Sequence, residues 1–159
     1  MNKASILVII QFTLFGVIGT SCLLIPAENS TISITIGGIL MLAGVGIGLH
    51  AINEHGRVNQ AAPNIVPTPK QHADLITSGL YKCVRHPIYT SVLLGSFGIT
   101  IWHGQMITLF ASLCLLTLLT YKSSYEEALL AVKYPDYAHY RQQTGRFLPK
   151  FSITSYKLC

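Results

Sequence analysis

Long uncharged apolar runs alternate with short polar stretches along this chain. Ala4 to Ile25 is 22 residues without a charged side chain, and Thr31 to Ile52 is another 22 with His50 as its only ionisable group. A helix of about 20 apolar residues crosses a bilayer, so these runs predict spans at 4–25 and 31–52. A signal peptide is the competing reading of the first run. That run exceeds a typical h-region of about 7–15 residues and ends at Leu24-Ile25-Pro26, which is no small-residue cleavage site. Pro26 to Ser30 forms a short turn between the two spans. Gly37, Gly38, Gly44, Gly46 and Gly48 make the second span small-faced, which permits close helix approach in lipid.

The third run, Pro87 to Tyr121, holds 35 residues without Lys, Arg, Asp or Glu. As one helix it would be about 52 Å long, against a hydrocarbon core of about 30 Å. It must break, and Trp102-His103-Gly104-Gln105 is its one polar cluster, with a tryptophan suited to the interface. The expectation is a short hairpin of spans at 87–101 and 106–121, each arm about 23 Å, with extra turns or local membrane thinning at its ends.

Composition agrees. The chain has 159 residues, 50% of them hydrophobic and 11% charged, with a mean hydropathy of +0.48. Soluble domains carry about a quarter charged residues. The deficit argues against a soluble domain, a disordered chain and a nucleic-acid binder, despite a net charge of +5. The prediction is one all-α integral-membrane domain over 1–159, with about four spans, a cytoplasmic loop and C-terminal amphipathic helices.

The basic residues orient it. Lys3, Arg57, Lys70, Lys82 and Arg85 fall on one side with Lys122, Lys133, Arg141, Arg146, Lys150 and Lys157, while the turns at 26–30 and 102–105 have none. The positive-inside rule makes the charged side cytoplasmic, with both termini. Gly56, Pro63, Pro67 and Pro69 punctuate the cytoplasmic loop, and Pro135 interrupts the helix that follows the fourth span. Cys22, Cys83, Cys114 and Cys159 form no C-x-x-C pair and read as free thiols, and Cys159 is not placed for prenylation. The histidines show no metal-ligand spacing.

Two polar segments, 66–89 and 122–150, carry the candidate chemistry. Pro87 suits the first position of a helix, and His86 before it is biased out of helical geometry. The third span therefore starts there, with free N–H groups and a positive dipole end facing the loop, an attractor of carboxylate or phosphate that Arg85 strengthens. Tyr81 and Tyr89 offer π faces to a cation such as a sulfonium. A helix cap with interfacial aromatics is an equal reading of this segment. In Lys122-Ser123-Ser124-Tyr125-Glu126-Glu127, Lys122 and Glu126 share one helix face. They could bind an ammonium and steer an anion; alone, a solvated helix start capped by Ser123 and Ser124 is the plainer reading. His50, Asn53 and Glu54 read as an interfacial cap at the end of the second span.

Together the segments resemble a known signature. Gly79-x-Tyr81-x-x-x-Arg85-His86-Pro87-x-Tyr89, then Glu126-Glu127, Tyr137-x-x-Tyr140 and Arg146-Phe147-Leu148-Pro149, is similar to the isoprenylcysteine carboxyl methyltransferase family, within the broader group of membrane phospholipid methyltransferases. The resemblance covers about residues 60–150. It implies S-adenosylmethionine as cofactor, leaving as S-adenosylhomocysteine, in a cytoplasm-facing pocket lined by Leu75, Ile76, Tyr81, His86, Pro87, Ile88 and Tyr89, with Glu126 on its amino group. It implies a prenylated or other lipid-like methyl acceptor in the membrane, reached laterally, with Lys122, Glu127 and Arg85 as candidate catalytic residues. Lys122 stands where the family commonly has an arginine; it keeps the charge and loses the bidentate fork. Glu127 to Tyr137 is one residue shorter than usual, and the spans are fewer than in eukaryotic members. A phospholipid or small-amine N-methyltransferase, with Glu127 or His86 as base, is the alternative within the enzyme class. A non-catalytic membrane scaffold or transporter-like protein of the same fold is the alternative outside it.

Overall fold

A computed structural model describes residues 3–68 and 73–150; Pro69, Lys70, Lys157 and Cys159 lie outside them. The fold is all-α. Helices α1 (Lys3–Leu24), α2 (Thr31–Asn59), α3 (Pro87–His103), α4 (Met106–Lys133) and the short α5 (Tyr137–Gln143) follow in order, with one 3-10 turn at Gly79–Lys82. Among the described residues α1, α2 and α4 are long and apolar enough to cross a membrane. At 17 residues α3 is about 26 Å long, the short arm of the hairpin.

The helix starts follow local chemistry. Ser30 and Ser33 form a reciprocal capping box on α2: Ser33 N donates to Ser30 Oγ at 3.2 Å and Ser30 N to Ser33 Oγ at 2.7 Å. Pro87 is the first residue of α3, with His86 as its N-cap. The hairpin breaks at Gly104, which takes a left-handed conformation (φ 79°) that favours glycine.

Three expectations are corrected. The second helix does not end at Ile52 but runs on through Gly56 to Asn59, because helical geometry continues past the point where hydropathy falls. Glu54 is therefore no terminal cap; it is buried, accepting from Ser78 Oγ and from Arg57 Nη2 at 3.0 Å. Helix α4 passes unbroken through Ser123 and Ser124, whose hydroxyls bond back to Thr120 O at 2.9 Å instead of capping a new helix.

The helices pack as two pairs, α2 on α3 and α1 on α4, with α3 and α4 in contact between them. Leu7, Ile18, Leu93, Ala111, Leu115 and Leu119 form the core of α1, α3 and α4. In the α2–α3 pair the backbones nearly touch. A Cβ added at Gly37 would lie 2.6 Å from Gly98 O, and one at Gly44 would lie 2.8 Å from Ser91 O, so only glycine fits. The two turns without basic residues meet at one end of the bundle, where Glu28 N donates to His103 O at 2.9 Å and Gln105 Nε2 to Pro26 O at 3.0 Å.

Candidate active site

The segment 83–86 lies beside the C-terminal segment, with Val84 bridged in parallel to Gly145. Gly145 N donates to Cys83 O at 3.0 Å, Arg85 N to Gly145 O at 2.8 Å and His86 N to Arg146 O at 3.1 Å. Thr90 Oγ1 adds a bond to Phe147 O at 2.7 Å. A Cβ on Gly145 would come within 1.7 Å of Leu148 O, so the turn after it requires glycine. The Arg146–Pro149 stretch thus backs the start of α3 and fixes where His86 points.

His86 is held on three sides. Its Nε2 donates to Glu127 Oε1 at 3.2 Å, its Nδ1 lies 3.8 Å from Glu126 Oε2, and its ring stacks on Tyr89 with centroids 5.2 Å apart. Tyr89 in turn donates its hydroxyl to Glu126 Oε2 at 3.0 Å. The two adjacent glutamates diverge. Glu126 turns toward a cavity, while Glu127 is 3% exposed and ringed by cations. Arg85 Nε lies 3.0 Å and Arg146 Nε 3.3 Å from Glu127 Oε1, and Arg141 Nε is 3.5 Å from its other oxygen.

The cavity has a volume of about 490 Å³, within the usual range for a small-molecule site. Leu75, Ile76, Tyr81, Arg85, His86, Pro87, Ile88, Tyr89, Lys122 and Glu126 all line it. Of the candidate cofactor-binding and catalytic residues only Glu127 does not, because its ion pairs draw it behind the wall. Burial pushes the Tyr81 phenol well up, with the Glu126 and Glu54 charges adding to it, so the ring faces the cavity as a neutral donor. Tyr140 donates to Tyr81 O at 2.7 Å, tying α5 to the wall.

Sequence reasoning missed several lining residues. Gln11 and Phe12 come from α1, His55 and Asn59 from the unforeseen extension of α2, and Tyr134 from the end of α4, while Tyr137 and Tyr140 of the signature line it as well. Gln11 is the one amide side chain in the apolar run 4–25, which was its one visible signal. Exposed Phe12 and Ile52 mark the rim of the cavity between α1 and α2.

The cavity suits the cofactor that the resemblance implies. Leu75, Ile76 and Ile88 offer an apolar wall, the Glu126 carboxylate can take an ammonium, and the tyrosine faces can take a sulfonium. Among the described residues no group of three or more His, Cys, Asp or Glu could hold a metal ion.

A family model described as phospholipid methyltransferase matches residues 32–137. The chain is similar to the cobalt-zinc-cadmium resistance protein CzcN of Cupriavidus metallidurans, 33% identical over 86 residues that cover 53% of this chain and 39% of that protein. It is also similar to the nickel-cobalt-cadmium resistance protein NccN of Alcaligenes xylosoxydans xylosoxydans, 31% identical over 86 residues that cover 53% and 40%. The matched stretch spans about two fifths of the length of these curated relatives.

Proposed function

The chain belongs to the phospholipid methyltransferase family, and from that premise we propose that it transfers a methyl group from S-adenosylmethionine to a lipid-like acceptor in the membrane. The observation that carries this is the convergence of the Gly79–Tyr89 motif and Glu126 on one cavity. When bound, the cofactor supplies a methyl group already activated on a sulfonium. The protein's part is then alignment, worth about 7–11 kcal/mol in favourable cases. In our reading Leu75, Ile76, Ile88 and the faces of Tyr81 and Tyr89 hold the cofactor, Glu126 binds its amino group, and His86 and Pro87 contribute at the start of α3.

Lys122 faces the acceptor, and Arg85 acts from the cavity wall. Glu127 takes a positioning role, since a carboxylate already accepting from Arg85, His86 and Arg146 is a poor base. Within the family the motif order supports carboxylate O-methylation of the isoprenylcysteine kind. N-methylation of a phospholipid or small amine is the second reading, favoured by the family's description.

Calorimetry with S-adenosylhomocysteine tests the assignment. Wild type should bind it, and Glu126→Ala should lose at least about tenfold in affinity, the size of one charge-assisted hydrogen bond. Equal affinity in the variant overturns the role of Glu126. Failure of the wild type to bind would leave the non-catalytic scaffold as the better account.

A further inference from the structure

Helix α1 lies outside the matched family stretch, which begins at residue 32, yet it reaches the cavity through Gln11 and Phe12. Gln11 is 8% exposed, and its Oε1 accepts from Lys122 Nζ at 2.7 Å. Lys122 is 1% exposed. An ammonium brings three donors and a full charge, and a buried charge is costly without a counter-ion. The direct contacts of Lys122 are neutral. They are the Gln11 amide and the face of Tyr89, whose ring centroid lies 5.4 Å from Nζ. None of the ion pairs among the described residues includes Lys122. Glu126, one turn further along α4, acts on the Lys122 charge through space without a direct ion pair, and its Oε2 is taken up by Tyr89 at 3.0 Å and His86 at 3.8 Å.

We infer that Gln11 is a positioning residue: it holds the Lys122 ammonium at the cavity wall without cancelling its charge, and so makes that end of the cavity a subsite for the anionic group of an amphiphile, a carboxylate or a phosphate. The choice of an amide is what matters. A carboxylate at position 11 has the same reach and would close an ion pair, leaving no net charge for a ligand. The inference rests on the cavity serving as the acceptor site of the proposed transferase.

The test uses the full-length protein in nanodiscs and three eight-carbon probes, octanoate, octyl phosphate and the neutral octanamide, followed by calorimetry. Wild type should prefer at least one anion over octanamide by about tenfold or more, the scale of a hydrogen bond to a charged group. Gln11→Glu should abolish that preference. Lys122→Met, which removes the charge and keeps the bulk, should abolish it as well and covers the case in which the first variant fails to fold. Tighter octanoate assigns a carboxylate acceptor, and tighter octyl phosphate assigns a phosphate-bearing one. A wild type that binds octanamide as well as either anion overturns the inference, as does a preference that survives in both variants. S-adenosylhomocysteine binding, measured alongside, reports separately on the methyl-transfer reading; its absence would sink that reading while the anion preference is judged on its own.

Discussion

Glu127 accepts hydrogen bonds from Arg85, His86 and Arg146 at once, and Arg141 approaches its second oxygen at 3.5 Å. Removing that carboxylate strands the Arg85 side chain, 8% exposed, without its counter-ion. Breaking a buried ion pair from one side costs about 3–5 kcal/mol. Glu127→Ala should therefore unfold far more readily in denaturant titrations in micelles, with Glu127→Gln in between because it keeps one acceptor oxygen. A loss in the alanine variant no larger than about 0.5 kcal/mol, the surface-substitution range, would show that the cations find other partners. The neighbouring pair Glu126-Glu127 was visible in the sequence, and the resemblance set Glu126 on the cofactor and Glu127 among the catalytic candidates, but the cluster of cations around Glu127 was not visible. It depends on Arg141 and Arg146, which reach Glu127 only once the C-terminal segment has folded back. The pairing of Gln11 with Lys122, 111 residues apart, was invisible for the same reason.

The elements were more legible than their contacts. Hydropathy marked the apolar cores of α1, α2 and the hairpin, because a bilayer-length run has few other uses. It missed the polar continuation of α2, where helix and membrane cease to coincide. It showed the five glycines of the 31–52 span but not which of them face α3. Gly37, Gly44 and Gly48 do, while Gly46 has nothing within 4 Å of an added Cβ. This separates two effects of one substitution. Gly44→Ala drives a methyl to 2.8 Å from Ser91 O and should lower the thermal midpoint, at a typical overpacking cost of about 1–3 kcal/mol. Gly46→Ala, with the same gain in helix propensity and no neighbour, should leave the midpoint unchanged or raise it. Equal behaviour of the two variants would mean that the α2–α3 contact is looser than this geometry.

At the scale of the whole molecule, the two turns without basic residues are stapled together at one end, and Lys3 lies 5.0 Å from the Tyr121 ring centroid at the other. That arrangement sets the start of α1 at the end of the bundle opposite the turns; the cytoplasmic side is the expectation drawn from the basic residues. Single cysteines placed at Asn29 and at Asp136, in a background without the native ones, should react with a membrane-impermeant maleimide from opposite faces of the cell membrane. Reaction of both from the same face would refute the orientation drawn from the basic residues.

The loose seam between α1 and α2, with Phe12 and Ile52 at the cavity rim, carries a kinetic consequence. Under the proposed reaction, an acceptor entering there would diffuse in two dimensions and never leave its lamella. The concentration that governs turnover is then a mole fraction within the sheet of lipid, not an amount per litre of cytosol. Adding inert lipid at constant total acceptor would slow the protein by dilution alone, and a host could set its rate by the make-up of the membrane around it.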